Sequence, residues 1–152
     1  MSSHNRTYWL CIMTKSVEYV QIEPGTTPPT IGASKPFQAV VIIESAVSPE
    51  WQSSISDWVV QSGCLYMMAW GENCSSWDDS VDRANIEQFK PVEIPASEFV
   101  MTTSHERESM EEVFWFSKNN AFHPTVKLRR TVLVHISLHN KQDELFKAYA
   151  DA

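Results

Sequence analysis

Several side chains capable of acid–base, nucleophilic or ligand-binding chemistry follow the predicted strands of this sequence. Carboxylates, imidazoles, thiols and hydroxyls are the groups that carry proton transfer and covalent catalysis in proteins. They collect in four segments, at 44–45, 72–79, 102–106 and 137–140. Ligands bind beyond the carboxyl ends of the strands in an open parallel sheet, so we expect these segments to form one polar rim.

Two residues of the polar rim could form a nucleophile and its base. Cys74 lies just before a predicted helix, where the helix dipole stabilises a thiolate. His105 would be its base if the two loops are neighbours, and Glu106 could act with His105 as a general acid or base. The alternative is a plain free thiol beside solvated loop residues. No third partner is identifiable, so Cys74, His105 and Glu106 stay candidate catalytic residues.

The acidic segment at the start of the second predicted helix could bind a cation. Asp78 and Asp82 stand at i and i+4, so one helix face could present both carboxylates. The alternative, which we favour, is that Ser75 or Ser76 caps the helix while Asp78 and Asp79 complement its positive end. With Ser76 as the cap, Asp79 would reach the backbone N–H of that cap. We therefore predict no metal site.

The remaining candidates concern ligand contacts and structural roles. If the polar rim holds a small molecule, its ligand-binding candidates are Glu72, Asp78, Asp79, Thr103 and His139. His123, before Pro124, and His135, inside the last predicted strand, are interpreted as structural. The basic run at 127–130 is interpreted as the solvated start of that strand.

The glycines exclude the common phosphate-binding loops. Glycine occurs only at positions 25, 32, 63 and 71, so neither GxGxxG nor GxxxxGK[ST] can be written. The patterns HExxH, GxSxG and paired CxxC are absent as well. We therefore expect no dinucleotide or nucleoside triphosphate cofactor.

Charge and cysteine content limit the partners and the compartment. Nineteen acidic and twelve basic residues give a net charge of −7, which repels phosphate groups. We expect no general nucleic-acid binding and no membrane association, whereas a basic protein partner would be attracted. The odd number of cysteines and the apolar runs around Cys11 and Cys64 predict reduced thiols in the cytoplasm. The apolar run 8–13 is too short for a signal peptide or a membrane span.

Buried strands alternate with capped helices from residue 37 onward. Ser48 with Pro49 begins one helix, and Ser109 with Glu112 has the capping-box spacing of another. Asn140 could cap a final helix. The predicted strands lie at 38–44, 64–70, 99–103 and 131–138. This alternation is typical of βαβ units around a parallel sheet.

The N-terminal part, residues 1–36, is predicted to hold two strands and a Pro-rich loop. The strands lie at 8–14 and 17–22 and could form a hairpin around Lys15 and Ser16, and the loop covers 23–35. The expected fold class is therefore α/β. One three-layer, Rossmann-like domain would span 1–152, with a mostly parallel sheet of about five strands and an N-terminal strand that could run antiparallel.

Four segments resemble a family of small uncharacterised bacterial α/β proteins. They are 47–51, 70–71, 74–82 and 111–116, and the resemblance covers about residues 38–137. It implies a single α/β domain in the cytosol of a bacterium or phage. It implies no activity and assigns no residue a role.

Two hypotheses about function follow. The favoured one is a non-enzymatic protein that binds a protein partner, such as an inhibitor, an immunity protein or an accessory subunit of a bacterial or phage system. It rests on small size, acidity, six tryptophans and the missing catalytic motifs. The alternative is a small enzyme or ligand-binding domain whose site comprises Cys74, Asp78, Asp79, His105 and Glu106. A concave pocket at the polar rim favours the alternative, and an apolar patch elsewhere favours the first hypothesis.

Overall fold

The strands and helices alternate along the chain, as the sequence predicts. The computed structural model describes residues 16–32 and 36–152. Within these residues the elements are β1 (Ser16–Ile22), β2 (Phe37–Ile43), α1 (Pro49–Gln61), β3 (Cys64–Gly71), α2 (Ser75–Phe89), β4 (Met101–Ser104), α3 (Met110–Asn119), β5 (Arg130–Ile136) and α4 (Gln142–Asp151). A short 3-10 helix, Ala96–Glu98, precedes β4.

The sheet has the order β1-β5-β2-β3-β4, and every neighbouring pair is parallel. The predicted α/β class with a five-stranded, mostly parallel sheet is therefore confirmed. β2 is buried along its whole length, as expected for a strand covered on both faces. Strand β5 returns to lie between β1 and β2, an order that no local pattern indicates.

The prediction that the N-terminal strand could run antiparallel is wrong for β1. This strand pairs in parallel with β5, from Ser16 opposite Arg130 to Ile22 opposite Ile136. The register places the Glu18 carboxylate 2.6 Å from the Arg130 guanidinium, an ion pair between neighbouring strands. The predicted strand at 8–14 and its hairpin turn at Lys15 lie outside the described residues.

Helices cover both faces of the sheet and make three layers. Along β2, Ala39, Val41 and Ile43 pack toward α1 and α2, whereas Val40 and Ile42 pack toward α3 and α4. This alternation follows from the two-residue period of a strand. No helix of residues 16–32 and 36–152 combines the length and the apolarity that a bilayer crossing requires.

Two tryptophans attach the Pro-rich loop to α1. The Trp51 indole N–H donates to the Thr26 carbonyl at 2.8 Å, and the Trp58 indole N–H donates to the Pro29 carbonyl at 2.9 Å. Both rings are half-buried against the core. Part of the tryptophan content therefore serves to hold an irregular loop on the surface of the fold.

Two predicted helix starts are confirmed. The Ser48 hydroxyl accepts the Trp51 N–H and Pro49 is the first helical residue. Ser109 and Glu112 form a reciprocal capping box at α3. Each cap satisfies N–H groups that have no partner inside their own helix.

The predicted cap of α2 is wrong, because neither Ser75 nor Ser76 occupies that position. The helix begins at Ser75, and Cys74 is the cap residue without a side-chain hydrogen bond. The Ser76 N–H donates to the Asn73 carbonyl at 3.2 Å, so it is not available to Asp79. The expected capping box of Ser76 and Asp79 does not form.

Candidate functional site

The polar rim lies at the carboxyl ends of the strands, on one end of the sheet, because all five described strands run in the same direction. At this edge β2 leads to α1 on one face, while its neighbour β5 leads to α4 on the other. The chain therefore diverges between β2 and β5, which makes this gap the topological switch point of the sheet. Ligands of open α/β sheets bind at such a position.

Four side chains from separate elements form a hydrogen-bond network at the switch point. The His135 Nε2 lies 2.7 Å from Glu44 Oε1, and its Nδ1 lies 2.6 Å from the Tyr19 hydroxyl. The Lys141 backbone N–H donates to the Tyr19 oxygen at 3.0 Å. The Lys141 Nζ lies 3.5 Å from Glu44 Oε1. The network joins β1, β5, the end of β2 and the start of α4.

One protonation pattern satisfies every bond of this network. With Glu44 ionised, His135 donates from Nε2, and its Nδ1 accepts the hydroxyl proton of Tyr19. The Tyr19 oxygen then accepts the Lys141 N–H. His135 is completely buried, and both of its ring nitrogens are occupied. This is the arrangement that the structural interpretation of His135 predicts.

The surroundings shift two pKa values in opposite directions. Partial burial raises the pKa of Glu44, but the hydrogen bond from His135 and the adjacent Lys141 ammonium outweigh it and leave the pKa lowered. Burial raises the pKa of Tyr19, opposed by the hydrogen bond from the Lys141 backbone. The network thus favours an ionised carboxylate at the surface and a neutral phenol behind it.

A second cluster surrounds His105 beyond the ends of β3 and β4. The His105 Nε2 lies 2.8 Å from the Thr103 hydroxyl, and its Nδ1 lies 2.9 Å from a Glu108 carboxylate oxygen. The Phe116 ring packs edge-on against the imidazole at 4.9 Å between centroids. The Trp70 indole N–H donates to the Glu108 carbonyl at 2.7 Å. His105 is therefore buried and bonded at both nitrogens.

The three candidate catalytic residues are close in the fold but are not arranged as a nucleophile with its base. Cys74 interacts with the backbone of His105 rather than with its ring, whose nitrogens bond to Thr103 and Glu108. Burial raises the pKa of the Cys74 thiol, which disfavours the nucleophilic thiolate. Glu106 is exposed on the following loop.

Two acidic residues of α2 have different structural roles: Asp78 bonds near the start of the helix, and Asp82 connects the helix to a strand. The Asp78 carboxylate accepts the Asp79 N–H at 2.9 Å near the helix start. Asp82 accepts the Thr102 hydroxyl at 2.7 Å and so connects α2 to β4. Burial raises the pKa of Asp82, and the charges of Asp78 and Asp79 raise it further, whereas the Thr102 bond lowers it.

The other ligand-binding candidates are dispersed along the polar rim. Glu72 is exposed, and its backbone N–H donates to the Ile43 carbonyl at 2.8 Å. Gly71 permits this approach, since a Cβ there would lie 2.2 Å from that carbonyl oxygen and the φ is 107°. His139 is exposed in the loop after β5, and β2 separates this strand from β3, which Glu72 follows.

The acids and histidines of the polar rim do not cluster as the ligands of a metal site would. Among the described residues, no three His, Cys, Asp or Glu side chains come together as a metal site would require. A groove of about 270 Å³ lies in the loop before β5, and one of about 210 Å³ lies between α1 and α2. Neither groove is lined by a candidate residue of the polar rim.

Tyr19 and Lys141, which complete the switch-point network, were not predicted from the sequence as site residues. Tyr19 and His135 are 116 residues apart, so only the sheet order brings them together. A weak signal existed in Tyr19 itself, since a phenol within a strand usually needs a hydrogen-bond partner when its ring is packed.

A further feature lies at the β4 edge of the sheet. Four large apolar side chains are exposed on the segments around β4: Ile86 on α2, Val92 and Phe99 in the connection from α2 to β4, and Phe122 after α3. Asn85 bonds to the Glu98 carbonyl and to the Val100 N–H, and His123 bonds to the Phe99 carbonyl. Asn85 and His123 are the chain neighbours of Ile86 and Phe122, and these bonds attach them to the segment that leads into β4. We call the four side chains together with the outer edge of β4 the β4 surface.

Comparison with known proteins identifies the family and no activity. The chain belongs to the family described as a domain of unknown function, DUF7684, whose model matches residues 17–152. This agrees with the resemblance to an uncharacterised family and extends its span. No curated protein and no solved structure matches the chain.

Proposed function

We propose that this protein acts by binding a protein partner through the β4 surface, as an inhibitor, an immunity protein or an accessory subunit of a bacterial or phage system in the cytoplasm. The observation that carries the proposal is that three of the four exposed apolar side chains of the β4 surface, Ile86, Val92 and Phe99, belong to the most acidic part of the chain. Apolar contact supplies affinity, and charge supplies selectivity and a fast encounter.

The negative charge is concentrated in the segment from 72 to 116, which contains α2, β4 and α3. This segment holds eleven acidic and three basic residues, a net charge of −8. The whole chain has nineteen acidic and twelve basic residues, so the rest has eight and nine and a net charge of +1. The electrostatic field that could attract a basic partner therefore comes mainly from this segment of α2, β4 and α3.

Three of the four exposed apolar side chains belong to this acidic segment, and Phe122 follows it after α3. Phe122 is 69% exposed and Val92 is 66% exposed, while Phe99 and Ile86 also remain largely in solvent. Exposed aromatic and aliphatic groups that are grouped rather than scattered mark interaction surfaces. Aromatic side chains are also enriched among the residues that dominate binding energy.

The alternative, a small enzyme or ligand-binding domain using Cys74, Asp78, Asp79, His105 and Glu106, has less support. Both nitrogens of His105 and both of His135 are engaged within the fold, and neither groove described above reaches them. An enzyme would need at least one such group to face a cavity that could hold substrate.

Affinity purification with matched variants tests the proposal. Tagged wild type, a Phe99→Ser/Phe122→Ser double variant and a Trp115→Ser control are used to capture proteins from cells of the natural source. Trp115 is an equally exposed aromatic residue on α3, at 50%. We expect one protein retained by wild type and control and lost by the double variant. Equal retention by all three, or no specific protein with the wild type, would contradict the proposal.

A further inference from the structure

We infer that the outer edge of β4 binds an extended, basic segment of the partner by adding it to the sheet as a sixth strand. This inference rests on the proposed function and specifies which backbone groups make the contact. Strand addition uses the unpaired N–H and C=O groups of a sheet edge for affinity and the side-chain surroundings for selectivity.

The register of β4 shows which backbone groups are available. Ala69 pairs with Ser104, and the His105 N–H donates to the Ala69 carbonyl at 2.9 Å. Because successive residues of a parallel strand bond to opposite sides, the N–H and C=O groups of Thr102 and Ser104 face away from β3. Within residues 16–32 and 36–152, no partner is recorded for these groups.

The start of this edge is already covered by the protein itself. The Val100 N–H donates to the Asn85 carboxamide oxygen at 2.9 Å, so the available edge begins after Val100. An added strand of about four residues could bond to both Thr102 and Ser104. The exposed Phe99 and Ile86 lie next to Val100 and Asn85 in the chain, so they provide an apolar end to the same edge.

The charge beside the edge specifies a basic segment. Asp82 is held by the Thr102 hydroxyl, and the negative charges of Asp78 and Asp79 act on it. An incoming strand would direct every second side chain toward these carboxylates, where lysine or arginine is favoured. A second copy of this chain is a poor occupant, since it would present the same net charge of −8 from its 72–116 segment.

Synthetic peptides test the inference with the full chain. The probe is an eight-residue peptide of alternating Val and Lys, and its control replaces Lys with Glu. Two further peptides carry backbone N-methyl groups, on every Val in one and on every Lys in the other. Binding is measured by isothermal titration, and the amide signals of Thr102 and Ser104 are followed by NMR.

We expect the Val–Lys peptide to bind at least about tenfold more tightly than the Val–Glu peptide. It should perturb the amide signals of Thr102 and Ser104 and slow their hydrogen exchange. In an extended peptide the N–H groups of the Val residues and those of the Lys residues lie on opposite edges. Only one of these edges would bond to β4, so only one of the two N-methyl patterns should abolish binding. Equal loss with both patterns, equal affinity of both charges, or absence of binding by the Val–Lys peptide would overturn strand addition.

A matched pair of variants separates this inference from the proposed function. Ser104→Pro removes the outward N–H, whereas Ser104→Ala keeps it; an edge strand tolerates proline where its N–H faces solvent. Peptide binding should fall about tenfold or more with Ser104→Pro only. If the captured partner still requires Phe99 and Phe122 but tolerates a folded Ser104→Pro, strand addition fails and the proposed function stands. If Ser104→Pro does not fold, the binding of the two N-methylated peptides to the wild type tests strand addition instead.

Discussion

Polar residues at the carboxyl edge of the sheet mainly bond to one another. His135 connects Tyr19 of β1 with Glu44 after β2, and His105 connects Thr103 with Glu108. A buried imidazole without partners would be costly, so each of these networks satisfies its histidine on both nitrogens. Residue types that favour catalysis in the sequence therefore serve in the structure to hold strand ends and loops together.

Glu44→Gln tests the contribution of the switch-point network to stability. The substitution removes the anionic acceptor of a buried imidazole, and we expect a loss of roughly 1 kcal/mol in the free energy of unfolding at neutral pH, given partial solvent screening. Urea unfolding at several pH values measures it. Glu72→Gln is the control, since Glu72 is exposed and its side chain makes no hydrogen bond within residues 16–32 and 36–152.

The pH dependence of that loss has a defined sign. The pKa of Glu44 in the folded state is below its ordinary value of 4.5, so the carboxylate stabilises the fold. Its contribution is fully present above the unfolded-state pKa and is lost as the pH falls through the lowered folded-state pKa. The difference between wild type and Glu44→Gln should therefore disappear in acid. A difference that is constant down to about pH 2 would refute the assignment.

Alkylation tests whether Cys74 is an activated nucleophile. Burial raises the pKa of Cys64 to about 12, and burial also raises the pKa of Cys74. At about pH 8 both thiols are protonated and enclosed, so iodoacetamide should modify neither in the native protein. Peptide mapping by mass spectrometry measures the extent, and both should react in guanidinium chloride. Rapid native modification of Cys74 would instead favour the enzyme hypothesis.

Helices and strands were predictable where a local pattern determines them. Ser48-Pro49 and the Ser109–Glu112 box act within one helical turn, so their effect is readable from adjacent residues. The start of α2 was not predictable in the same way. Asn73 adopts a positive φ of 53°, and its carbonyl takes the Ser76 N–H, so a tight turn replaces the expected serine cap.

The position of the candidate site was predictable from the sequence, but the hydrogen-bond partners of its side chains were not. Parallel pairing of successive βα units places Glu44, Cys74 and His105 along one edge of the sheet, and this follows from the alternation of elements alone. Which side chains meet depends on the return of β5 between β1 and β2. Glu44 and His135, for example, are separated by 91 residues and bond only because of that order.

Ser109→Ala tests the energetic weight of the capping box at α3. The Ser109 hydroxyl accepts the Glu112 N–H, and the Glu112 carboxylate accepts the Ser109 N–H. Loss of the hydroxyl should lower the free energy of unfolding by about 1 kcal/mol. Ser53→Ala, at an exposed interior position of α1, is the control and should not destabilise. Equal effects of the two substitutions in urea unfolding would rule out a special role for the cap.

At the scale of the whole molecule, the negative charge belongs mainly to the part of the fold made by α2, β4 and α3. The acidic segment 72–116 forms the side that ends at β4, and the remaining described elements are close to neutral. Such a field directs the approach of a basic partner over distances near the Debye length, about 8 Å at physiological salt. Affinity itself would come from the apolar and backbone contacts of the β4 surface.

Charge reversal beside β4 should therefore slow association with the captured partner. Glu93→Lys/Glu98→Lys changes the net charge by four units next to the β4 surface, and we expect the association rate constant to fall severalfold with little change in dissociation. Glu23→Lys/Glu144→Lys makes the same change in net charge, after β1 and on α4 at the opposite side of the sheet, and is the control. Surface plasmon resonance measures both rates. Similar slowing by both pairs would mean that total charge, and not its position, governs the encounter.

Hydrogen–deuterium exchange of the protein with and without its captured partner tests binding through the β4 surface. We expect the partner to slow exchange in the segments around Ile86, Val92–Ser104 and Phe122, with Thr102 and Ser104 among the protected amides. Exchange at Glu44, His135 and Lys141 should stay unchanged. Protection confined to these three residues and their neighbours, with none along β4, would contradict binding through the β4 surface and would assign the polar rim to the partner.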